Sequence, residues 1–591
     1  MEALKYTNVH LTDGLFKERE KVNREYLMSL SNNALLQNFY LEAGIILPNA
    51  QVISDPENSY LHWGWEAPSC QLRGHFLGHW LSAAAHLVSS NKDRELEAKL
   101  YTIVDELKKC QIYNGGEWIG SIPEKYFKRL ESNDYIWSPQ YTVHKTLLGL
   151  LDTFECTGYD VAMDILDHAA DWYIKWTDSL KETPYVIVKG EAGGMLEIWA
   201  RLYGITGEEK YLTLANAYYY KDFDAYLEGK DNLTDNHANA SIPMAHGSAK
   251  MYEVTGDEKW LTITKEFWKQ AVHNREAFAT GGQNAGEFWI APKLFSNALS
   301  NRTQEFCTMY NMARLAEYLY RITEEKEYSD YIEHMLYNGF LAQQNKRTGM
   351  PTYCLPMRPA SRKLWGSKTR DFWCCTGSMV QAQTIYPSLI YFHDPDKKII
   401  SVEQYIGSEM NIDGVTISQE TNMNYCMGSL FDDSRESNNI KTRWSFTFYI
   451  TSKDEISVQF RIPGWAKEAY VNGKEINVKD NYFSVAGCFD NEKIDIFFAS
   501  ELECRDLPGN SSATAILDGP IVLAAVDEDG KEFSLKGKSP AEMLTPFVER
   551  TYDTYPWQQN SYYSKYDNGK TLFLPLYEIT DEPYTIYFSK N

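Results

Sequence analysis

The chain has 591 residues but only ten cysteines, too scattered for a disulfide framework. It has no run of about 20 apolar residues, so no segment is expected to span a bilayer. It also lacks any cluster of lysine and arginine, with 58 basic residues against 81 acidic ones and a formal charge of −23. Phosphate binding needs concentrated positive charge, so nucleic acid and membrane surfaces are excluded as expected partners. The opening MEALKYTNVHLTDGLF shows no basic stretch followed by an apolar one, so no signal peptide is visible. A cytoplasmic location is expected, or a periplasmic one if a leader has been removed. Aromatic residues, by contrast, are plentiful, with 41 Tyr and 16 Trp. Rings beyond what a core requires often line carbohydrate clefts, because the C–H face of a sugar packs on an aromatic face.

An internal repeat organises the first two thirds. ECTGYDVAMDILDHAADW around Thr157, GITGEEKYLTLANAYY around Thr206 and EVTGDEKWLTITKEFW around Thr255 recur every 49 residues, and RITEEKEYSDYIEHML around Thr323 follows after an insertion. Each joins an apolar helix end, a turn and an acidic start to the next helix. The period is that of a helical hairpin, and several hairpins can close into an α/α toroid. Long polar loops at 223–245 and 276–304 favour the closed form, because such loops build sites. After about residue 395 the apolar period changes from 3.6 to 2, and short alternating runs such as TRWSFTFYITS and EISVQFRIPGWA predict β-sandwiches.

The expected fold is therefore multidomain α+β, an N-terminal α/α toroid followed by C-terminal β-sandwich domains. Residues 1–20 form an N-terminal segment able to pair with a β-sandwich, 21–395 the helical barrel, 396–512 one β-sandwich and 513–591 a second or an extension.

Chemistry-bearing residues concentrate between 281 and 375. GGQNAGEFW presents Glu287, TQEFCTMYNMARLAEYLY presents Glu305 and Cys307, and FWCC presents Cys374 and Cys375. One carboxylate and three thiols make a four-ligand set suited to zinc. On residue type alone, two other readings of the vicinal pair stay open, ordinary buried thiols and a strained disulfide. His75 and His79, at i and i+4, lack the acidic neighbour of a metalloprotease motif and are not expected to bind metal. Cys70, Cys110, Cys156, Cys354, Cys426, Cys488 and Cys504 are expected to be buried apolar thiols.

In combination, LRGHFLGHWLSA, YTVHKTLLGLLDTF, HANASIPMAHGSAKMYEVTGD, TGGQNAGEFW, QEFCTMYNMARLAEYLY, YIEHMLYNGFLAQQ and FWCCTGS resemble the glycoside hydrolase family 127 and 146 clan of β-L-arabinofuranosidases. The likeness runs in order across residues 8–395. It implies an α/α barrel with β-sandwiches, an oligosaccharide or glycan as the partner, and one Zn2+ per chain, and leaves the oligomeric state open. It implies Cys374 as nucleophile and zinc ligand, Cys375, Glu305 and Cys307 as the remaining ligands, and Glu287 as general acid/base. His144, His237, Glu333, Tyr353 and Glu197 are implied as substrate-binding residues. A retaining exo-glycosidase that releases β-linked L-arabinofuranose from plant-derived glycans through a cysteine thioglycosyl intermediate is the expectation. For that chemistry Glu287 needs a raised pKa, which Phe288 and Trp289 could supply by desolvation.

Alternatives within reach of the sequence are a hydrolase of a modified acid sugar of rhamnogalacturonan II on the same site, a carboxylate-pair enzyme with incidental cysteines, and a non-catalytic carbohydrate-binding protein with a structural zinc. The chain departs from the clan at Ser378, Met379 and Gln381 after the cysteine pair, and at Leu196 in GGMLEIW. These positions are expected to shape the pocket around the sugar or the aglycone.

Overall fold

The structure is a computed structural model, described over residues 1–46, 61–421, 441–526, 533–546, 560–566 and 571–591. Its helical part is a closed ring. The helices His75–Asn91, Pro139–Thr157, Met195–Thr206, Ala238–Thr255, Phe306–Thr323 and Cys374–Ala382 pack each on the next, and the last packs back on the first. Outside them run Arg94–Tyr113, Asp160–Ser179, Glu209–Ala217, Glu258–Trp268 and Lys326–Met335. The repeat is thus an inner helix, a turn and an outer helix of an α/α barrel.

The turns explain why the pattern is so regular. Gly158, Gly207 and Gly256 follow three inner helices with φ between 68 and 70°, left-handed backbone that glycine adopts without a side-chain clash. In the fourth repeat Glu324 takes that position at φ 59°. The inner helices also approach closely. A Cβ at Gly78 would lie 2.0 Å from the Lys145 backbone, and one at Gly149 would lie 2.3 Å from the Gly78 carbonyl oxygen, so two glycines set the crossing of the first two inner helices.

The β part begins at Tyr391–Asp394 and is built around two long antiparallel strands, Lys441–Arg461 and Tyr482–Leu507. The second strand runs on from the first sheet into another, where Leu502–Asp506 pairs with Thr514–Asp518. The expected divisions at 395/396 and 512/513 therefore differ from what is seen. The helical ring ends before Tyr391, and Asn510–Asp518 is one unbroken strand across the second division. The N-terminal segment joins the first sheet, with Glu2–Ala3 paired to Phe392–His393 and Val9–Leu11 paired to Ser408–Met410.

Of the seven cysteines expected to be buried, Cys110 is buried, Cys70, Cys156 and Cys354 are half-buried, and Cys488 and Cys504 are exposed. Both exposed cysteines lie on Tyr482–Leu507, Cys488 on a solvent-facing alternate position and Cys504 in the exposed run 503–506 near the strand's end. Cys426 lies outside the described residues. No described helix is long and apolar enough to cross a membrane.

Candidate active site

The site forms where inner-helix N-termini meet a small four-stranded sheet of Asn284–Ala285, Phe288–Trp289, Thr303–Glu305 and Cys354–Leu355. Asn284 pairs with Trp289 and Ala285 with Phe288, which leaves Gly286 and Glu287 as a two-residue hairpin tip. Both have positive φ, 56 and 75°, as the tightest hairpin turns require, and the strained tip projects Glu287. A register shift between Thr303 and Glu305, with Gln304 at φ 53°, is a bulge that re-aims Glu305. Cys307 lies in the first turn of Phe306–Thr323, and Cys374 and Cys375 open Cys374–Ala382. Helix N-termini stabilise negative charge, which favours thiolates at all three positions.

The four ligand candidates converge. Oxygen and sulfur atoms of Glu305, Cys307, Cys374 and Cys375 all lie within 4.8 Å of one another, and all four residues are buried. The Cys307–Cys375 and Cys374–Cys375 sulfur separations are 3.4 and 4.0 Å, and Glu305 Oε1 lies 3.7 and 3.8 Å from the Cys374 and Cys375 sulfurs. These are free thiols, so the disulfide reading of the vicinal pair does not hold. Tetrahedral zinc with sulfur ligands at about 2.3 Å has ligand edges of about 3.8 Å, close to the separations found. The second Glu305 oxygen is buried without a hydrogen-bond partner. Burial pushes Glu305, Cys307 and Cys375 well above their ordinary ranges, whereas hydrogen bonds from Cys307 and Cys375 hold Cys374 well below its own. Four ionisable groups packed together in a buried site are best accommodated by a cation. The donor set and its spacing fit a metal ion such as zinc.

Glu287 and Cys374 are linked by Tyr353. The Tyr353 hydroxyl donates to Glu287 Oε1 and lies 3.5 Å from Cys374 Sγ. His237 Nε2 stands 3.9 Å from the other Glu287 oxygen, while its Nδ1 accepts from the Ala240 N–H and caps Ala238–Thr255. One histidine thus starts an inner helix and faces the hairpin tip. The desolvating wall expected of Phe288 and Trp289 does not form. Phe288 is 49% exposed, and the indole of Trp289 turns away to donate to Ser241.

Three other residues expected to bind substrate have protein neighbours of their own. Glu333 accepts from the Trp465 indole at 2.8 Å and pairs with Arg461 at 3.2 Å, which ties the helical ring to the β part. Glu197 accepts from Arg314 at 2.5 Å and Tyr318 at 2.9 Å, and lines a separate cavity of about 580 Å³ with Tyr6, Asp152, Arg201 and Arg314. His144 packs against Gly194 and has Lys145, Glu197 and Arg314 as its charged neighbours.

The altered positions are buried too. Ser378 donates to Cys307 Sγ at 3.1 Å, Met379 Sδ accepts from Gln383, Gln381 faces His79, and Leu196 packs on Gly247. Ser378, Met379 and Gln381 follow the cysteine pair on Cys374–Ala382, and Leu196 lies in the first turn of Met195–Thr206.

Sequence reasoning missed Tyr141 and Glu191. Tyr141 lies within electrostatic reach of Cys374, Cys307 and Cys375. Glu191, at φ 56°, lies within reach of His237, Cys374 and Glu287. The only signal for Tyr141 was its place one helical turn before His144.

Residues 8–388 match the family model described as the β-L-arabinofuranosidase GH127 catalytic domain. A non-reducing end β-L-arabinofuranosidase of Bifidobacterium longum subsp. longum is 23% identical over 523 residues, 76% of this chain and 75% of that protein. Among solved structures, a GH127 β-L-arabinofuranosidase from Geobacillus stearothermophilus T6 superposes with a TM-score of 0.69 at 18% identity, covering 99% of this chain and 100% of that one. Another GH127 β-arabinofuranosidase gives 0.71 at 16% identity, covering 100 and 98%. These two similarities establish the shared fold of barrel and β-domains. The family match spans the whole ring and the site built on it, and this chain belongs to the GH127 β-L-arabinofuranosidase catalytic-domain family of glycoside hydrolases.

Proposed function

We propose that the protein is a retaining, exo-acting β-L-arabinofuranosidase that releases arabinofuranose from plant-derived glycans, with Cys374 as nucleophile and Glu287 as acid/base. The observation that carries this reading is the Tyr353 bridge. An ordinary hydrogen bond added to the 3.5 Å contact leaves Glu287 and Cys374 at most about 6 Å apart. Retaining glycosidases hold their two reacting groups at about 5 to 5.5 Å, whereas inverting ones leave room for a water between them.

In the first step Cys374 Sγ forms a bond to the anomeric carbon as the glycosidic C–O bond breaks, and Glu287 gives its proton to the departing oxygen. In the second, Glu287 as carboxylate takes a proton from water, whose oxygen attacks the anomeric carbon and displaces the sulfur. Two inversions give net retention. Tyr353, donating to Glu287 and touching Cys374, orients both groups. A zinc ion held by Glu305, Cys307, Cys374 and Cys375 would keep the thiols deprotonated at neutral pH.

The test is hydrolysis of an aryl β-L-arabinofuranoside, with product stereochemistry followed by NMR. Wild type should give the β-anomer first, Cys374→Ala should be inactive, and Glu287→Gln should accumulate a covalent adduct on Cys374 visible by intact mass. Activity of Cys374→Ala equal to wild type would rule out the thiol mechanism.

A further inference from the structure

A chain of hydrogen bonds runs along the barrel interior behind the cysteine cluster, and its polarity follows from its two ends. At the far end Arg201 donates to Asp152 Oδ1 at 2.6 Å. Burial acts to raise the Asp152 pKa, but the Arg201 guanidinium beside it holds the carboxylate ionised. An ionised Asp152 can only accept, so the Ser82 hydroxyl donates to its other oxygen. Ser82 Oγ must then accept from Gln381 Nε2, at 2.8 Å, which turns the Gln381 carbonyl oxygen toward His79. That oxygen, 2.5 Å from His79 Nδ1, requires a proton on Nδ1 and leaves Nε2 as an acceptor.

At the near end His75 Nε2 lies 2.8 Å from the Phe372 carbonyl oxygen and 3.6 Å from Glu66, both acceptors. The proton is therefore on Nε2, and Nδ1 is an acceptor. Between the two rings stands Tyr141, its hydroxyl 3.3 Å from His79 Nε2 and 3.3 Å from His75 Nδ1. It has one proton and two inward acceptors, so it donates inward in either arrangement. Its oxygen can offer only lone pairs to the cavity. His75 and His79 are 0 and 1% exposed against 9% for Tyr141, so at the near end the phenol is the member closest to open space, while at the far end Asp152, Arg201 and Gln381 line the separate cavity.

We propose that Tyr141 binds substrate as an acceptor only, taking a hydrogen bond from one sugar hydroxyl, while Gln381 and His79 act as positioning residues that keep its proton pointed inward. This rests on reading the cysteine cavity as the glycosidase site. It gives Gln381 and the histidine pair a role in selecting a substrate with a free hydroxyl at one ring position. A sugar carrying an ether or an acyl group there would present only acceptors to an acceptor.

Two measurements test it. In zinc-loaded protein labelled with 15N-histidine, with His75→Gln and His79→Gln used for assignment, His79 should carry its proton on Nδ1 and His75 on Nε2. The opposite tautomer at either ring would overturn the proposal, whatever the enzyme hydrolyses. The second compares aryl β-L-arabinofuranosides in which each hydroxyl in turn is replaced by fluorine, which accepts but does not donate. At one position the replacement should lower kcat/KM about tenfold in wild type but by less than about twofold in Tyr141→Phe. Gln381→Glu, which cannot donate to Ser82, should relax the same penalty without loss of zinc. Equal penalties in wild type and Tyr141→Phe at every position would overturn the proposal. Absence of any hydrolysis by wild type would instead refute the underlying functional reading and leave the tautomer result to decide the polarity.

Discussion

The Tyr353 hydroxyl lies 3.5 Å from Cys374 Sγ and donates at the same time to Glu287, so one phenol couples the two groups that must react. Tyr353→Phe should keep the fold and metal content but lower kcat by about 100-fold, the low end of what a positioned proton-transfer partner contributes. Steady-state kinetics on an aryl arabinofuranoside would show it. A loss under about threefold would mean that the bridge does not orient the pair.

Purified under reducing conditions, the protein should hold about one zinc per chain, measured by elemental analysis. Glu305→Ala and Cys375→Ser each remove one of four buried donors and should weaken zinc affinity by at least about 100-fold. Melting temperatures should fall when wild type is treated with a chelator and should change little in these variants. An unchanged zinc content in both would break the ligand assignment.

Glu333 is held by Trp465 and Arg461. Glu333→Ala leaves Arg461, 0% exposed, with Asp330 as its remaining ion-pair partner and should destabilise the protein by about 2 kcal/mol. Melting temperature should fall while KM stays within about twofold of wild type. A tenfold rise in KM without a thermal shift would make Glu333 a substrate contact after all.

Stability should decline as pH falls below neutral. Burial pushes His62 and His334 down to about 3 and His86 down to about 4. Unfolded, these groups bind protons near pH 6.5, so the unfolded chain takes up more protons than the folded one in between. The stability they contribute is fully present above pH 6.5 and is lost as pH falls through 4, at up to about 1.4 kcal/mol per pH unit for each histidine. Calorimetry at pH 7.5, 6 and 5 and constant ionic strength should show a falling melting temperature. A level or rising one would contradict the assignment.

Much of the barrel was legible because its cues are local. The Thr-Gly turn is read within four residues, and it closes three of the inner helices at Gly158, Gly207 and Gly256. Cys374, Cys375, Glu305, Cys307 and Glu287 were nominated because few residue types perform this chemistry, and the structure brings all five to one end of the ring, with Tyr353 and His237 beside them. Glu333 and Glu197, nominated on the same grounds, are paired with Arg461 and Arg314, whereas His144 Nε2 is buried without a hydrogen-bond partner. A carboxylate on an inner helix reads the same whether its neighbour is a sugar or an arginine.

Residue types, their order and their period thus determined that the chain would form paired helices followed by β-structure, and which side chains could serve as thiolate, carboxylate or ligand. Only the closure of the ring decided which of them meet. It set Cys374–Ala382 against His75–Asn91 across some 300 residues of sequence and put Gln381 on His79. It also left Tyr141 between two histidines with a single proton to share. Hydrogen-bond polarity depends on every member of such a chain, and these members come from four inner helices that no local pattern connects.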